Sequence, residues 1–125
     1  MVKPTLHILD EAFAIHRLAP GSEIPSAVLT STFHWIGCTD EETSIVCPRA
    51  VTVPGACTEP GWSCIKVGGP IDFAVTGLLA DLSRAIAEAG ISIFALSTFD
   101  TDYLLVPSSR IDEAVKVLRS AGYGF

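Results

Sequence analysis

The chain has 125 residues, of which 49% are hydrophobic, so it has enough apolar material for a folded core and is not a disordered chain. Acidic residues outnumber lysines and arginines by 14 to 8, giving a net charge of -6, which argues against binding to nucleic acid or to an anionic membrane. The start of the sequence lacks an apolar secretory segment and no apolar run could span a bilayer, so a cytoplasmic location is predicted.

The first elements of the chain are predicted to be short. Residues 5–18 indicate a strand, a turn and a second strand, an arrangement that would bring His7 and His16 to face each other. Residues 26–34 indicate a short helix capped by Ser26. The histidines lie far apart in sequence and lack an accompanying carboxylate pattern, so they are interpreted as structural or solvent-facing rather than as metal ligands.

A weak internal repeat follows. The segment GCTDEETSIVCP, residues 37–48, aligns with LSTFDTDYLLVP, residues 96–107, so that a threonine, an apolar run and a proline coincide. Asp102 falls on Thr43, so the acid is not repeated. The acidic run within the first segment is interpreted as a solvated turn, because it lacks the spacing of a calcium loop. The repeat indicates that the N-terminal half is a degenerate copy of the C-terminal half.

The two halves are expected to join at a segment rich in proline and glycine, residues 54–61. We therefore predict a degenerate N-terminal module over residues 1–58 and a complete C-terminal domain over residues 59–125. Both modules would have the same type of fold.

The C-terminal half has the clearest periodicities. Its predicted elements are a strand at 62–67, a helix at 72–89 followed by Gly90, strands at 91–97 and 102–106, a helix at 111–121 capped by Ser108 or Ser109, and a short strand at 123–125. This βαββαβ order is typical of the ferredoxin-like α+β fold, an antiparallel four-stranded sheet with two helices on one face.

The sequence contains no established catalytic motif. A nucleophile elbow, a P-loop, a zinc-protease motif and a dinucleotide fingerprint are all missing. The 4 cysteines have no C-x-x-C spacing and are interpreted as small core residues, so neither a metal nor a cofactor is predicted. An enzyme would need a nucleophile beside a base, and no such spacing is found. The chain is therefore predicted not to be an enzyme.

The strand-to-helix connection is the first candidate binding feature. The amides of Gly68 and Gly69, together with the start of the following helix, suit a carboxylate group. Asp72 in the first helical turn would instead repel an anion and attract an ammonium group. A connection of this kind could bind both charges of a zwitterion. The alternative interpretation is an ordinary strand-to-helix turn without a ligand.

The second candidate feature is the STFDTD segment, residues 97–102, which joins two strands without the glycine or asparagine of a simple hairpin. Thr98 and Asp100 suit a turn. Asp102 begins a strongly apolar strand, where a carboxylate needs a hydrogen bond, an ion pair or an edge position. A bound ammonium or guanidinium group would satisfy it. Residue chemistry leaves ligand contact and turn architecture as two open interpretations.

Three longer segments resemble a known family. The segments GISIFALSTFDTDYLLV at 90–106, TGLLADLSRAIAEAG at 76–90 and TDEETSIVCP at 39–48 are similar to ACT-domain proteins of the arginine-sensor (CASTOR-like) type, including small bacterial members. The S-T-F/Y-x-x-D pattern is specific to this branch. The resemblance covers most of the chain and is strongest over its second half.

The resemblance implies a regulatory module that binds an amino acid and performs no chemistry. It implies a ligand at the seam between modules or at a dimer interface. The ligand-binding residues that it assigns are Val67, Gly68, Gly69, Ser97, Thr98, Phe99 and Asp102. Asp102 would contact an ammonium or guanidinium group, so the ligands that the resemblance implies include cationic amino acids.

The expected partner is a second copy of the chain. The animal sensors have about twice as many modules in one chain, and four-stranded sheets have edges that invite pairing, so a homodimer is predicted. The alternative function is a structural or protein-interaction ACT module without a ligand. An enzyme that uses a cysteine or a histidine and an acid is the third hypothesis.

Overall fold

The structure is a computed structural model that describes residues 3–68 and 77–125. The chain divides into two compact units, Met1–Asp10 with Ser63–Phe125 and Glu11–Trp62. We call the first the split unit, because it is discontinuous in sequence, and the second the inserted unit. The expected division into residues 1–58 and 59–125 differs from these units, since the beginning of the chain groups with the C-terminal half. That domain division stays a prediction.

The described residues form six strands, three α-helices and one 3₁₀ turn. In order these are β1 Leu6–Leu18, α1 Ser26–Leu29, β2 Trp35–Cys38, β3 Thr43–Pro48, β4 Cys57–Val67, α2 Leu78–Glu88, β5 Phe94–Ser97, β6 Asp102–Pro107, the 3₁₀ turn Ser108–Arg110, and α3 Ile111–Ser120. Strands β1 and β4 contribute residues to both units. No helix in the described part of the chain is long and apolar enough to cross a membrane.

The split unit has the predicted α+β, ferredoxin-like fold. Its strands lie in the order β1-β4-β6-β5, with α2 between β4 and β5 and α3 after β6. The predicted terminal strand at 123–125 is wrong, and the beginning of β1 is the fourth strand instead. One backbone hydrogen bond of 2.8 Å, from Leu6 N–H to the Gly124 carbonyl, is formed where that strand was expected.

One face of the split unit's sheet and the two longer helices share a core. Side chains alternate between the faces of a strand, so residues two apart on β4 and β6 point toward the same helices. The fully buried members of this cluster are Leu6, Ile65, Val67, Leu82, Ile86, Leu104, Val106, Ala114 and Leu118. Both α2 and α3 therefore cover the same face of the sheet, as the fold class requires.

Helix α2 forms because its apolar residues recur at helical spacing. Leu78, Leu82 and Ile86 are buried on one stripe. The helix ends at Glu88, and Gly90 follows it at the C′ position, as predicted, with a φ of +73°. The N–H of Ile91 donates to the Ile86 carbonyl at 3.3 Å, which completes a Schellman motif. The start of the predicted helix, including Asp72, lies outside the described residues.

Helix α3 begins differently from the prediction. Neither Ser108 nor Ser109 caps it by a side-chain hydrogen bond, because both belong to the preceding 3₁₀ turn. The Ser108 hydroxyl lies instead 2.9 Å from the Ser63 hydroxyl on β4. Asp112 and Glu113 occupy the first helical turn, where their negative charge favours the N-terminal end of the helix dipole.

Residues 5–18 do not form the elements predicted for them. The strand, turn and strand expected there are one continuous strand, β1, so His7 and His16 do not face each other across a hairpin. Asp10 and Glu11, near the middle of this strand, have exposed side chains on an extended backbone. The predicted helix over 26–34 is only four residues long, Ser26–Leu29, and Pro25 precedes it without a side-chain cap.

The strands of the inserted unit lie in the order β2-β3-β1-β4. Strand β3 pairs antiparallel with both β1 and β2. The unit has a small core of its own, formed by Val28, Ile45, Cys47 and Val53. The inserted unit thus consists of the β2–β3 hairpin, residues of the two strands β1 and β4, and one short helix.

Candidate ligand-binding site

The internal repeat predicted from sequence corresponds to two matching hairpins. In the β2–β3 hairpin Cys38 pairs with Thr43, and in the β5–β6 hairpin Ser97 pairs with Asp102. Each hairpin has the same strand lengths and the same loop length. The alignment made from residue identities alone therefore places equivalent structural positions together.

Both hairpin turns are held by a threonine. Thr98 N–H donates to the Thr101 carbonyl at 2.8 Å, and Thr101 N–H donates to Thr98 Oγ1 at 3.2 Å. In the other hairpin, Thr39 N–H donates to the Glu42 carbonyl at 3.0 Å, and Glu42 N–H donates to Thr39 Oγ1 at 3.1 Å. Thr98 thus closes the turn, which explains why no glycine is needed there.

Asp102 takes no part in the hydrogen bonds that close the turn. Its carboxylate oxygen Oδ1 accepts a hydrogen bond of 2.6 Å from the Ser97 hydroxyl, directly across the strand pair. No lysine or arginine of the described residues forms an ion pair with it. The matching position in the other hairpin is Thr43, whose hydroxyl donates to the Ala19 carbonyl at 3.1 Å. A hairpin of this kind is therefore built without an acid.

Asp102 lies on the helix-covered side of the sheet. Leu104 and Val106, two and four residues later on the same strand, are in the core beneath α2 and α3. Ser97 lies opposite Asp102 in the register and therefore shares its face. The two polar groups, a hydroxyl and a carboxylate, form the end of an otherwise apolar face.

The glycine connection lies at the same end of the sheet. In an antiparallel sheet ordered β1-β4-β6-β5, the end of β4, the start of β6 and the end of β5 meet at one end. Gly68 follows β4, Asp102 begins β6 and Ser97 ends β5. The topology thus brings together the predicted residues that lie far apart in sequence.

Val67 and Gly68 have different environments at this end of the sheet. The Val67 side chain is fully buried in the core, which leaves its main chain for any ligand. Gly68 N–H donates to the Thr5 carbonyl at 2.8 Å, and a Cβ atom on Gly68 would lie 2.6 Å from that oxygen. The backbone contact with Thr5 therefore requires glycine here. Gly69, the third predicted residue of this connection, lies outside the described residues.

Phe99 is at the tip of the β5–β6 turn, where its side chain is 77% exposed. The hydroxyls of Thr98 and Thr101 lie 2.7 Å apart beside it. Sequence reasoning missed two residues at this end, Thr5 and Thr101. Thr101 had a signal in the T-x-x-T spacing of the turn, whereas the Thr5 carbonyl is a backbone group that no side-chain pattern reveals.

Two of the four cysteines predicted as core residues, Cys47 and Cys64, are buried, whereas Cys38 and Cys57 are exposed, so the prediction is wrong for those two. Burial raises the pKa of the Cys64 thiol to about 12 and also raises the pKa of Cys47, so both are protonated at neutral pH. A thiolate nucleophile is not favoured at either position. Among the described residues, no group of three histidines, cysteines or carboxylates could hold a metal ion.

His16 is a structural histidine of the inserted unit. It is 4% exposed, and its Nδ1 lies 2.7 Å from the Thr58 hydroxyl. Burial lowers the pKa of His16, so the neutral ring is the form in the folded protein at neutral pH. His16 and the buried thiols of Cys47 and Cys64 are therefore interpreted as structural, and the candidate site is the end of the split unit's sheet.

Comparison with known families identifies the C-terminal region. The sequence model described as an ACT domain matches residues 58–120. A curated relative is the cytosolic arginine sensor for mTORC1 subunit 1 from Pongo abelii, which is 30% identical over 122 residues, covering 90% of this chain and 37% of that protein. The human protein of the same name is 36% identical over 59 residues, covering 46% of this chain and 18% of that protein. The chain therefore spans well under half the length of these relatives.

Comparison with solved structures supports the same fold. A protein from Agobacterium tumefaciens is 35% identical, with a TM-score of 0.90 over 99% of this chain and 92% of that one. The regulatory subunit of aspartate kinase from Thermus thermophilus has a TM-score of 0.67 at 13% identity, over 97% of this chain and 99% of that one. At that identity the second likeness concerns the fold alone.

Proposed function

Because the chain belongs to the ACT domain family, we propose that it is a regulatory module that binds an amino acid at the end of the split unit's sheet and catalyses no reaction. The name of the curated relatives, cytosolic arginine sensor, supports an amino acid as the ligand class and a cytoplasmic location. The lack of a low-pKa buried thiol supports a binding role over nucleophilic catalysis.

The proposal rests mainly on the negative charge of Asp102. Its carboxylate accepts a hydrogen bond from Ser97, yet no cation in the described part of the chain neutralises its charge. An α-ammonium or guanidinium group would form a charge-assisted hydrogen bond with the carboxylate. The main-chain groups of Gly68 and Gly69 and the hydroxyls of Ser97 and Thr98 are the proposed contacts for the rest of the ligand.

The proposed regulation acts through a homodimer. A ligand shifts an equilibrium only if it binds one state more tightly than the other. We propose that the amino acid binds at the dimer interface and that Phe99, which is 77% exposed at the tip of the β5–β6 turn, covers it there. Occupation of the site would then favour one arrangement of the two subunits and present it to a downstream protein.

A thermal-shift panel of the common amino acids at millimolar concentration tests the proposal. A ligand that binds only the folded state stabilises it by mass action, so at least one amino acid is expected to raise the melting temperature. At 100 times its Kd the stabilisation is about 2.7 kcal/mol, which corresponds to a shift of several degrees for a protein of this size.

Asp102→Asn is the matched variant for this panel. The asparagine carbonyl still accepts the Ser97 hydrogen bond, so the hairpin is kept while the charge is removed. The shift caused by a cationic ligand should be lost, whereas Asp100→Asn, in the same turn, should retain it. A shift that is equal in Asp102→Asn and the parent protein would exclude Asp102 from ligand binding.

A ligand-free structural module is the second candidate function. It is favoured by the contacts that the predicted residues make within the fold, since Gly68 touches Thr5 and Ser97 bonds to Asp102. This alternative expects a folded protein whose melting temperature no amino acid changes. The thermal-shift panel therefore distinguishes the two candidates.

A further inference from the structure

The first described residues of the split unit are bonded to two separate parts of it. We call residues 3–6 the N-terminal strap. The Thr5 carbonyl accepts a hydrogen bond of 2.8 Å from the Gly68 N–H at the candidate site. One residue later, the Leu6 N–H donates to the Gly124 carbonyl, also at 2.8 Å. The strap therefore connects the residues that follow α3 to the glycine connection of the site.

Lys3 anchors the beginning of the strap through its ammonium group. The Lys3 Nζ donates to the carbonyl of Ala121, the residue after α3. The same atom lies 4.0 Å from a carboxylate oxygen of Asp81 and 4.8 Å from the centroid of the Tyr123 ring. A carbonyl at the end of a helix, a carboxylate and the face of an aromatic ring each attract a cation. The Lys3 side chain is only 33% exposed, so it is held at this position rather than solvated at the surface.

The connection between Lys3 and Thr5 is stiff, because Pro4 joins them. The proline ring fixes its own φ and restricts the preceding residue to an extended backbone. The Thr5 carbonyl is also fixed from its other side, since the next residue, Leu6, is fully buried in the core. The position of this carbonyl therefore depends both on the anchor at Lys3 and on the packing of Leu6.

Gly68 follows the position of the Thr5 carbonyl closely. A Cβ atom on Gly68 would lie 2.6 Å from the Thr5 oxygen, so the two backbones are in direct contact. A displacement of the Thr5 carbonyl must move Gly68 with it or break the hydrogen bond to its N–H. Because that N–H is bonded to Thr5, the main-chain group of Gly68 that suits an ammonium group of a ligand is its carbonyl.

From these contacts we propose that Lys3 is a positioning residue for the candidate ligand-binding site. Its ammonium group holds the strap against the residues that follow α3, and the strap holds Gly68 through the Thr5 carbonyl. Gly68 in this position binds the ligand with its main chain, whereas Lys3 does not touch the ligand. The inference rests on the proposed function, because it names a residue that sets the affinity of the same site from outside it.

The strap also couples the site to the residues that follow α3. A group that binds only when Gly68 is held in place stabilises the strap in return, because coupling between two sites is reciprocal. Loss of the positive charge of Lys3 releases the strap and lowers the affinity for the ligand. Ligand binding in turn holds Lys3 more firmly against Ala121 and Asp81.

Amide hydrogen exchange of the ligand-free, ¹⁵N-labelled full chain tests the positioning. Lys3→Met keeps an apolar stem but removes the charge, so the strap should detach more often and the Gly68 amide should exchange about three- to tenfold faster. The Thr98 amide at the same end of the sheet should keep its rate, because its partner, the Thr101 carbonyl, belongs to its own turn. Lys116→Met removes the same charge at an exposed position of α3 and should leave both rates unchanged.

A calorimetric titration measures the effect on the site. The ligand is the amino acid that gives the largest thermal shift, or arginine if none does. The Kd of Lys3→Met should be about three- to tenfold higher than that of the parent protein. Lys3→Arg keeps a cation that can donate to the Ala121 carbonyl, so it should retain most of the affinity. The melting temperature of each variant, taken from circular dichroism, verifies folding.

Pro4→Gly provides a second test that does not alter any charge. A glycine makes the connection between Lys3 and Thr5 flexible, so the Gly68 amide should again exchange faster. Pro20→Gly makes the same change at an exposed turn of the inserted unit and should leave that rate unchanged.

Three results would overturn the positioning role of Lys3. These are an unchanged exchange rate of Gly68 in Lys3→Met, an equal rise of the Gly68 and Thr98 rates, which indicates a general loss of stability, and an unchanged Kd. A parent protein that binds no amino acid would overturn the proposed function. The exchange rate of Gly68 in Lys3→Met would then still decide whether Lys3 positions that residue.

Discussion

At the scale of single residues, Gly68 and Asp102 have different reasons for their identity. Glycine is required at position 68 because the Thr5 carbonyl lies where a side chain would begin. Asp102 has no such steric constraint, and the matching hairpin uses a threonine at its position. The sequence indicated both positions, but only the cross-strand register shows that Ser97 is the hydrogen-bond partner of Asp102.

Gly68→Ala is expected to destabilise the protein. The new Cβ would lie 2.6 Å from the Thr5 carbonyl oxygen, so the backbone of β1 or β4 must move. Overpacking of this kind costs about 1–3 kcal/mol, and the melting temperature should fall by several degrees. Gly124→Ala is the control, because a Cβ there meets nothing within 4 Å. Equal melting temperatures for the two variants would contradict the steric requirement.

At the scale of elements, sequence patterns succeeded where a local period sets the structure. The apolar stripe of α2 and the alternating residues of β4 and β6 are such cases. Strand β1 was mispredicted because its exposed polar pair, Asp10 and Glu11, is compatible with either a turn or an extended edge. The final strand was mispredicted because Gly122 ends α3 in a Schellman turn, which directs Tyr123 into the core.

The ends of the split unit are joined by a polar cluster around Asp81 of α2. Its carboxylate accepts hydrogen bonds from the Tyr123 hydroxyl and from Arg84, and the ammonium group of Lys3 lies 4.0 Å away. The hydrogen bond from Tyr123, followed by the charges of Arg84 and Lys3, holds the pKa of Asp81 below its usual value. Helix α2 is thereby tied to the residues that follow α3.

This cluster predicts a pH dependence of stability. Because the pKa of Asp81 is lower in the folded state, the stabilisation is present above the unfolded-state pKa, near 4, and is lost as the pH falls through the folded-state value. Asp81→Asn should therefore be less stable than the parent at pH 7, and the difference should shrink toward pH 3. Urea unfolding at several pH values measures this.

Asp40→Asn is the control for the pH series, because Asp40 lies in the exposed turn of the β2–β3 hairpin. Its free energy of unfolding should change with pH in the same way as that of the parent protein. A constant difference between Asp81→Asn and the parent from pH 7 to pH 3 would show that the carboxylate charge of Asp81 does not contribute. The cluster would then stabilise the fold through packing alone.

At the scale of the whole molecule, the fold class was predictable and the chain's division into units was less so. The internal repeat corresponds to two hairpins whose registers match. The split unit, however, begins with residues 1–10 and resumes at Ser63. No local pattern reveals that grouping, because it depends on which distant strands pair. Sequence patterns selected Ser97, Thr98 and Asp102 at this end of the sheet but missed Thr101 and the backbone contact of Thr5. Their role in ligand binding stays a prediction.

The proposed binding site for an amino acid is the end of the sheet where Gly68, Ser97 and Asp102 meet. The most direct test is a titration of the ¹⁵N-labelled protein with the amino acid that gives the largest thermal shift, or with arginine if none does, followed by two-dimensional NMR. Saturable changes are expected in the amide signals of Gly68 and of residues 97–102, with smaller changes in the β2–β3 hairpin. Unchanged spectra at millimolar ligand, or changes confined to the inserted unit, would contradict it.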